Sequence, residues 1–509
     1  MQPSGTGGRP ALLNAASIAA ILAVFVLVRL PLLTTEGSAR GWNGDSGIFG
    51  LMAKKIHDGK GFDVFFWGQN YMGPLTPALA AVIRRTVLDP AGVGAEGGPI
   101  SLRLASMSEI AFGICLYFLA LARLFGWPIA TATGLWLAIG PPHFVHLSAV
   151  YRSGLGPEMS FALGSVLFFL AAGALTGPRP FLDRPGGHFV LGLLAGVGWW
   201  MNQTIVFVLL PVAILALFRA APSGRGWARF LTPVLAGVVL GYSPVWLGRL
   251  LGWYEPAAGP YVTPWQASDL PTRTVRFLGT DAWRFVGLDG LLPPLLLAPA
   301  ALALLTLVFL RYRRRLESPL RTGALTPEGL DLVAAIVGFG AGVSFLKGLN
   351  PFGDRYLAPA LPAAIAFLLV SLTEAARLLR RRLPSALVAL LFGGLALAAT
   401  LFLWRRARGV VESIVLEPDQ GAPLETILEE GYTICHAGYD TAYTLQFLSD
   451  ERVRFIPYHS LDRNRRLSRE LRLLPGPQCV VTDEGAVRPW VPSDAAEEGG
   501  PALRRAPKR

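Results

Sequence analysis

Three polar stations interrupt an otherwise apolar chain, and each carries residue types suited to phosphates or hydroxyls. At the first, Gly41-Trp42-Asn43-Gly44-Asp45-Ser46-Gly47, a carboxylate sits in a glycine-rich turn. There it can take a proton from an acceptor hydroxyl or coordinate a cation. Lys54 and Lys55 follow on the polar face of the helix that this turn begins. The second station, Tyr151-Arg152-Ser153-Gly154-Leu155-Gly156-Pro157-Glu158, joins a phosphate-binding side chain, Arg152, to a second acid, Glu158, able to share a metal ion with Asp45. The third runs from Lys347 to Pro362; in it Arg355 presents a planar fork of donors suited to a lipid phosphate, with the Tyr356 phenol beside it.

Each station also has a purely structural explanation. Asp45 or Ser46 can cap the helix that follows, accepting hydrogen bonds from its first free amides. Glu158 at a helix start is stabilised by the positive end of the helix dipole, although a charge at membrane depth needs a partner or a purpose. Arg355 can simply pair with its neighbour Asp354 at the membrane surface.

The elements that must position these residues are membrane helices. With 509 residues, 52% of them hydrophobic and 16% charged, and a mean hydropathy of +0.46, the chain carries too many apolar runs for a soluble globule. About 20 apolar residues cross a bilayer core. Spans are expected near 11–33, 102–122, 127–147, 158–176, 188–201, 203–218, 230–250, 289–310, 330–347, 357–375 and 384–404. The pair 188–201 and 203–218 competes with one long kinked helix. Counting them as two puts Arg123, Arg179, Arg184, Arg219, Arg225 and Arg229 on the same side as the later groups Arg311 to Arg321 and Arg377 to Arg382. Short cytoplasmic loops collect such residues, so the N-terminus is expected inside and the chain beyond residue 404 outside. Only Arg9 precedes the first run and no small-residue cleavage site follows it, which reads as a retained helix.

The expected organisation is thus an all-α polytopic membrane domain over 1–404 and a small α/β extracytoplasmic domain over 405–509 with a disordered end. In the first outer loop, 34–100, Ile48, Phe49, Met52 and Ile56 share one helical face opposite Lys54, Lys55 and Asp58, which predicts an amphipathic helix in the interface. In the tail, 432–436, 453–458 and 479–482 read as strands and 441–448 and 463–474 as helices, a βαβαβ pattern without a G-x-G-x-x-G turn. Cys435 and Cys479 fall in this tail and are either bridged or two small buried hydrophobes on neighbouring strands; Cys115 inside the second span is packing. The net charge of +12 is mostly topological, with arginines facing anionic headgroups rather than nucleic acid. No Cys/His spacing matches a zinc site.

At Asp45, at Pro157-Glu158 and at Arg355-Tyr356 followed by Pro359 and Pro362, the chain resembles the GT-C glycosyltransferases, especially bacterial relatives of protein O-mannosyltransferases and of lipid A aminoarabinose transferase. The likeness covers roughly 10–404 and rests on the order of the motifs together with the topology. Many members carry Asp-Glu in the first loop, where this chain has Asp45-Ser46, so the base falls to Asp45 alone. The resemblance implies a GT-C fold of about eleven helices in a bacterial inner membrane. It further implies transfer of a sugar from a polyprenyl-phosphate carrier to an extracytoplasmic lipid, glycan or protein by inverting displacement. In that scheme Asp45 is the base; Arg355, Tyr356, Lys54, Lys55 and Arg152 hold the donor phosphate; Glu158 orients the acceptor or binds a divalent ion. No organic cofactor is implied, and Gly, Ala, Arg and Pro richness suggests a GC-rich bacterial source, hence undecaprenyl phosphate as carrier. The rivals are a transporter of lipid-linked saccharides, which would place charged or broken helices at the midplane, and a catalytically inert scaffold, which would tolerate alanine at Asp45 and Arg355.

Overall fold

The computed structural model describes residues 8–34, 40–67, 72–94, 97–149, 157–176, 184–220, 226–252, 280–291, 329–347, 354–457, 477–482 and 485–490, with single residues at 272, 276, 293 and 306. The membrane portion comprises α1 (Gly8–Arg29), α2 (Gly44–His57), α3 (Leu75–Ile83), α4 (Gly97–Phe125), α5 (Trp127–Ile139), α6 (Pro142–Ser148), α7 (Pro157–Thr176), α8 (Pro185–Met201), α9 (Val206–Ala220), α10 (Gly226–Gly241), α11 (Ser243–Leu250), α12 (Ala282–Phe285), α13 (Gly329–Lys347), α14 (Leu361–Leu379) and α15 (Ser385–Val415). The tail adds α16 (Ala422–Glu429), β1 (Ile434–Ala437), α17 (Tyr439–Leu448), β2 (Arg454–Pro457), β3 (Gln478–Val481) and β4 (Val487–Pro489).

Eleven full crossings are not what the described helices provide. Five are long and apolar enough: Leu12–Leu33, Gly97–Phe125, Pro157–Thr176, Tyr356–Leu379 and Ser385–Val415. A sixth arises if the pair Ala228–Gly241 and Ser243–Leu250, bent by 51°, counts as one. The reason is local. Within the expected span 127–147 the run is broken at Gly140, whose φ of +88° a hydropathy window does not register; Gly126, with φ of +86°, and the extended Asn202 fall at expected boundaries. α5, with 13 residues, reaches only about 20 Å of a core roughly 30 Å thick. Most of the expected span 289–310 lies outside the described residues.

α15 shows the opposite departure. It has 31 residues, about 46 Å of helix, and runs through the expected boundary at 404/405. Beyond that point Ala407, Val411 and Ile414 are buried and Arg406 donates to the Asp289 carbonyl at 2.8 Å. One continuous helix therefore carries the tail. Elsewhere α8 and α10 touch backbone to backbone: a Cβ on Gly192 would lie 2.0 Å from the Val234 carbonyl oxygen, and one on Gly237 2.2 Å from that of Phe189. Small residues spaced four apart on both helices, Gly192/Gly196 and Gly237/Gly241, permit this approach.

The tail is a four-stranded sheet in the order β2-β1-β3-β4, the first three parallel and β4 antiparallel. Helix α17 connects β1 to β2, as the pattern predicts; α16 and β4 are additions, and the expected helix 463–474 lies outside the described residues. Cys435 and Cys479 stand opposite each other on β1 and β3 and are disulfide-bonded across a separation of 44 residues. In a chain-entropy account a loop of that length is worth about 4 kcal/mol. Replacing both cysteines by serine is expected to abolish the mobility difference between oxidised and reduced protein on a gel. It should also lower the thermal midpoint of the tail; unchanged mobility in the wild type under reductant would remove the basis for this expectation.

Candidate functional site

α2 begins with an Asn43 cap, not with Asp45 or Ser46. The Asn43 side chain accepts from the Ser46 amide at 2.9 Å and from the Ser46 hydroxyl at 2.8 Å. Asn43 has the extended backbone that a cap requires. This leaves Asp45, in the first turn, clear of the capping duty that one sequence reading gave it. Its Oδ1 accepts a hydrogen bond of 2.6 Å from the Tyr439 hydroxyl. Among the described residues its Oδ2 accepts none.

Tyr439 belongs to the tail, and the way α17 reaches α2 corrects the expectation of a helix lying freely in the interface. The apolar face of α2, with Ile48, Phe49 and Met52, packs in one cluster with Leu102, Ala105, Tyr443 and Phe447. A second face is lined by Gly44, Gly47 and Gly50, and against it lie Tyr439, Tyr443 and Phe447. A Cβ at Gly47 would stand 2.5 Å from the Tyr443 backbone carbonyl, and one at Gly50 2.2 Å from the Phe447 ring. The Gly44 amide donates to Asp440 Oδ1 at 2.7 Å. Around the rim, Trp42 and Gln420 exchange two hydrogen bonds of 2.8 and 2.9 Å. The buried Arg103 guanidinium donates to the Leu32 and Arg40 carbonyls while lying over the Trp42 ring.

Lys54 and Lys55 are engaged by carboxylates. Lys54 pairs with Asp58 at 3.4 Å and with Asp450 at 3.3 Å, and Lys55 with Asp63 at 2.7 Å. Arg84 reaches Asp450 at 3.2 Å, so Asp450 fastens the tail to both α2 and the end of α3. Burial alone would raise the Asp450 carboxyl, but Arg84 and Lys54 outweigh it and hold it below its ordinary value. Asp58 behaves alike: burial opposes, yet Lys60, His57 and Lys54 bring it from 3.8 down to about 2. Both folded values are depressed, so this support is complete above pH 4 and fades as the pH falls through the folded value. Tail docking through Asp450, followed by limited proteolysis, is therefore expected to be constant from pH 8 to 5 and to loosen as the pH falls below about 4. Loosening that already sets in between pH 8 and 6 would contradict this.

Glu158, in the first turn of α7, is fully buried and receives a contact of 3.4 Å from the Ser106 hydroxyl of α4. Within electrostatic reach lies a second buried acid, Glu109 of α4. Thr76 donates to Glu109 Oε2 at 3.0 Å, and among the described residues Glu109 Oε1 has no hydrogen-bond partner. Glu109 escaped the sequence reading, although a carboxylate inside the apolar run 102–122 is the signal that finds it. Tyr439 and Asp440 were missed as well; the aromatic spacing Tyr439, Tyr443, Phe447 was their signal. Arg355 is the second residue of a 3-10 turn, Asp354–Ala360, in which Tyr356 is exposed at 37%. The turn is tied to α4 by Tyr117, which donates to the Pro359 carbonyl at 2.8 Å, and it packs along α7. α4 is thus the common neighbour of the helices bearing Asp45 and Glu158 and of the Arg355 turn. Arg152 lies outside the described residues.

A divalent ion shared by Asp45 and Glu158 finds little support in this geometry. Asp45 is held by Tyr439 while Glu158 sits with Ser106 and Glu109, and among the described residues no three His, Cys, Asp or Glu side chains group together. No chemical step below is routed through such an ion.

No protein-family model matches the sequence, and no curated protein matches it. Solved structures do match by shape. ArnT from Cupriavidus metallidurans bound to undecaprenyl phosphate superposes with a TM-score of 0.56 at 14% identity, covering 94% of this chain and 93% of ArnT. Its apo state gives 0.59 at 14%, with 96% and 95% covered. The Archaeoglobus fulgidus oligosaccharyltransferase gives 0.45 at 13%, with 87% and 62% covered. Over nearly its whole length, from the bundle through the tail, this chain shares the fold of ArnT.

Proposed function

We propose that the protein is a membrane glycosyltransferase that moves a hexose or pentose from a polyprenyl-phosphate carrier to an acceptor hydroxyl outside the cytoplasm, by a single displacement that inverts the anomeric carbon. The observation that carries this reading is the fold shared with ArnT at 96% coverage, a structure otherwise crystallised with undecaprenyl phosphate. The placement of Asp45 supports it, since the carboxylate is uncapped and its Oδ2 accepts no hydrogen bond among the described residues.

The chemistry follows from what the donor already contains. A lipid phosphate is a competent leaving group, so the protein must offset its growing charge and remove the acceptor proton. Asp45 takes that proton as the acceptor oxygen attacks the anomeric carbon and the bond to the phosphate oxygen breaks. Arg355 and Arg152 hold the departing phosphate, with Tyr356 beside it. Lys54 and Lys55, paired with Asp58, Asp450 and Asp63, contribute positive charge only at longer range. Glu158 orients the acceptor side. The protein acts in a bacterial inner membrane, with its N-terminus cytoplasmic and its tail periplasmic.

Purified protein should release polyprenyl phosphate from at least one member of a radiolabelled polyprenyl-phosphate-sugar panel when a membrane extract supplies the acceptor. Absence of release from every donor, together with movement of labelled lipid between leaflets of a liposome, would replace the transferase by a transporter.

A further inference from the structure

The helix α17 of the tail lies close to the candidate chemistry. Tyr439, the first residue of α17, donates its hydroxyl to Asp45 Oδ1 at 2.6 Å across 394 residues of sequence. The adjacent Asp440 accepts the Gly44 amide at 2.7 Å, so two consecutive tail residues grip two consecutive residues of the α2 first turn. The glycine face of α2 brings the backbones close enough for this, since a Cβ on Gly44 would stand 2.6 Å from the Tyr439 ring.

We infer that Tyr439 is a positioning residue for Asp45, fixing the carboxylate so that Oδ2 is turned to the acceptor hydroxyl, and that the tail is in this way an obligatory part of the catalytic centre. The inference rests on the transferase reading above. A carboxylate has two soft torsions, and a base must lie within hydrogen-bond reach of the proton it takes. Anchoring one oxygen with a charge-assisted hydrogen bond removes most of that freedom and leaves the other oxygen as the acceptor. The ring itself is held independently, edge-on to Tyr443 at 5.3 Å, so the hydroxyl can be removed without disturbing the packing.

The test is Tyr439→Phe in full-length purified protein, assayed for kcat and for KM toward the lipid donor. A hydrogen bond to a charged group is worth enough to predict a fall in kcat of roughly ten- to a hundred-fold, with the donor KM and the thermal midpoint close to wild type. Incorporating 3-fluorotyrosine at position 439, which restores the hydroxyl on the same ring, should return most of the lost kcat. A purely structural Tyr439 would instead lower the thermal midpoint or raise KM. A kcat for Tyr439→Phe equal to that of an active wild type overturns this inference and leaves the transferase standing; a wild type inactive on every donor overturns both.

Discussion

Asp45→Asn is expected to lower sugar transfer on the order of 10²- to 10⁴-fold, the usual contribution of a positioned general base, while the amount of protein in the membrane stays near wild type. Several features make this substitution unusually clean. The amide keeps the size of the carboxylate and still accepts the Tyr439 hydrogen bond, so only the charge and basicity are lost. The helix start is untouched because Asn43, not Asp45, holds the Ser46 amide. Asp45 forms no ion pair with another described residue, so no cation is left stranded by the change. Release of polyprenyl phosphate by the purified variant measures the effect. Activity within threefold of wild type would remove Asp45 from the mechanism and return the first loop to a structural role.

How far the sequence led to this picture depends on the range of the interaction concerned. The amphipathic helix after Asp45, the strands and first helix of the tail and the break at residue 202 are all local. They follow from periodicity, turn residues and hydropathy within a window, and the structure has them within a few residues of where they were expected. The three stations that suggested the fold were also legible as strings of residue types. What was not legible was which station touches which. The partner of Asp45 came from position 439 rather than from Glu158, and nothing within a window of sequence links residues so far apart. Among the described residues five or six helices are long and apolar enough to cross, fewer than the eleven expected, for a different reason. A hydropathy sum treats Gly140 as an ordinary member of the run 127–147, while its backbone conformation ends a helix there.

The glycine spacing on α2 is the clearest case of a signal that was present and unread. Gly44, Gly47 and Gly50 look like weak helix formers in a loop, and intrinsic propensity would favour almost any replacement by a few tenths of a kcal/mol. The structure reverses that sign. At Gly47 a Cβ would stand 2.5 Å from the carbonyl carbon and oxygen of Tyr443 and 2.8 Å from the Thr444 nitrogen, all of them backbone atoms that cannot rotate aside. Gly47→Val must therefore push α17 away from α2, and overpacking of this kind costs about 1–3 kcal/mol. The displacement propagates in both directions along α17. Toward its start it draws the Tyr439 hydroxyl off Asp45; toward its end it separates Asp450 from Lys54 and Arg84. The variant is expected to insert normally, to expose the tail to protease and to lose at least as much transfer activity as Tyr439→Phe. Gly94→Val, at a glycine with nothing within 4 Å of its Cβ position, is the matched control and should behave as wild type. Because the two variants add the same atoms to the same loop region, a shared defect would point to insertion or folding. A defect in Gly47→Val alone, with protease sensitivity and activity falling together, would tie catalysis to the seating of the tail; wild-type resistance and turnover in Gly47→Val would show that α17 does not bear on Asp45 in the working protein.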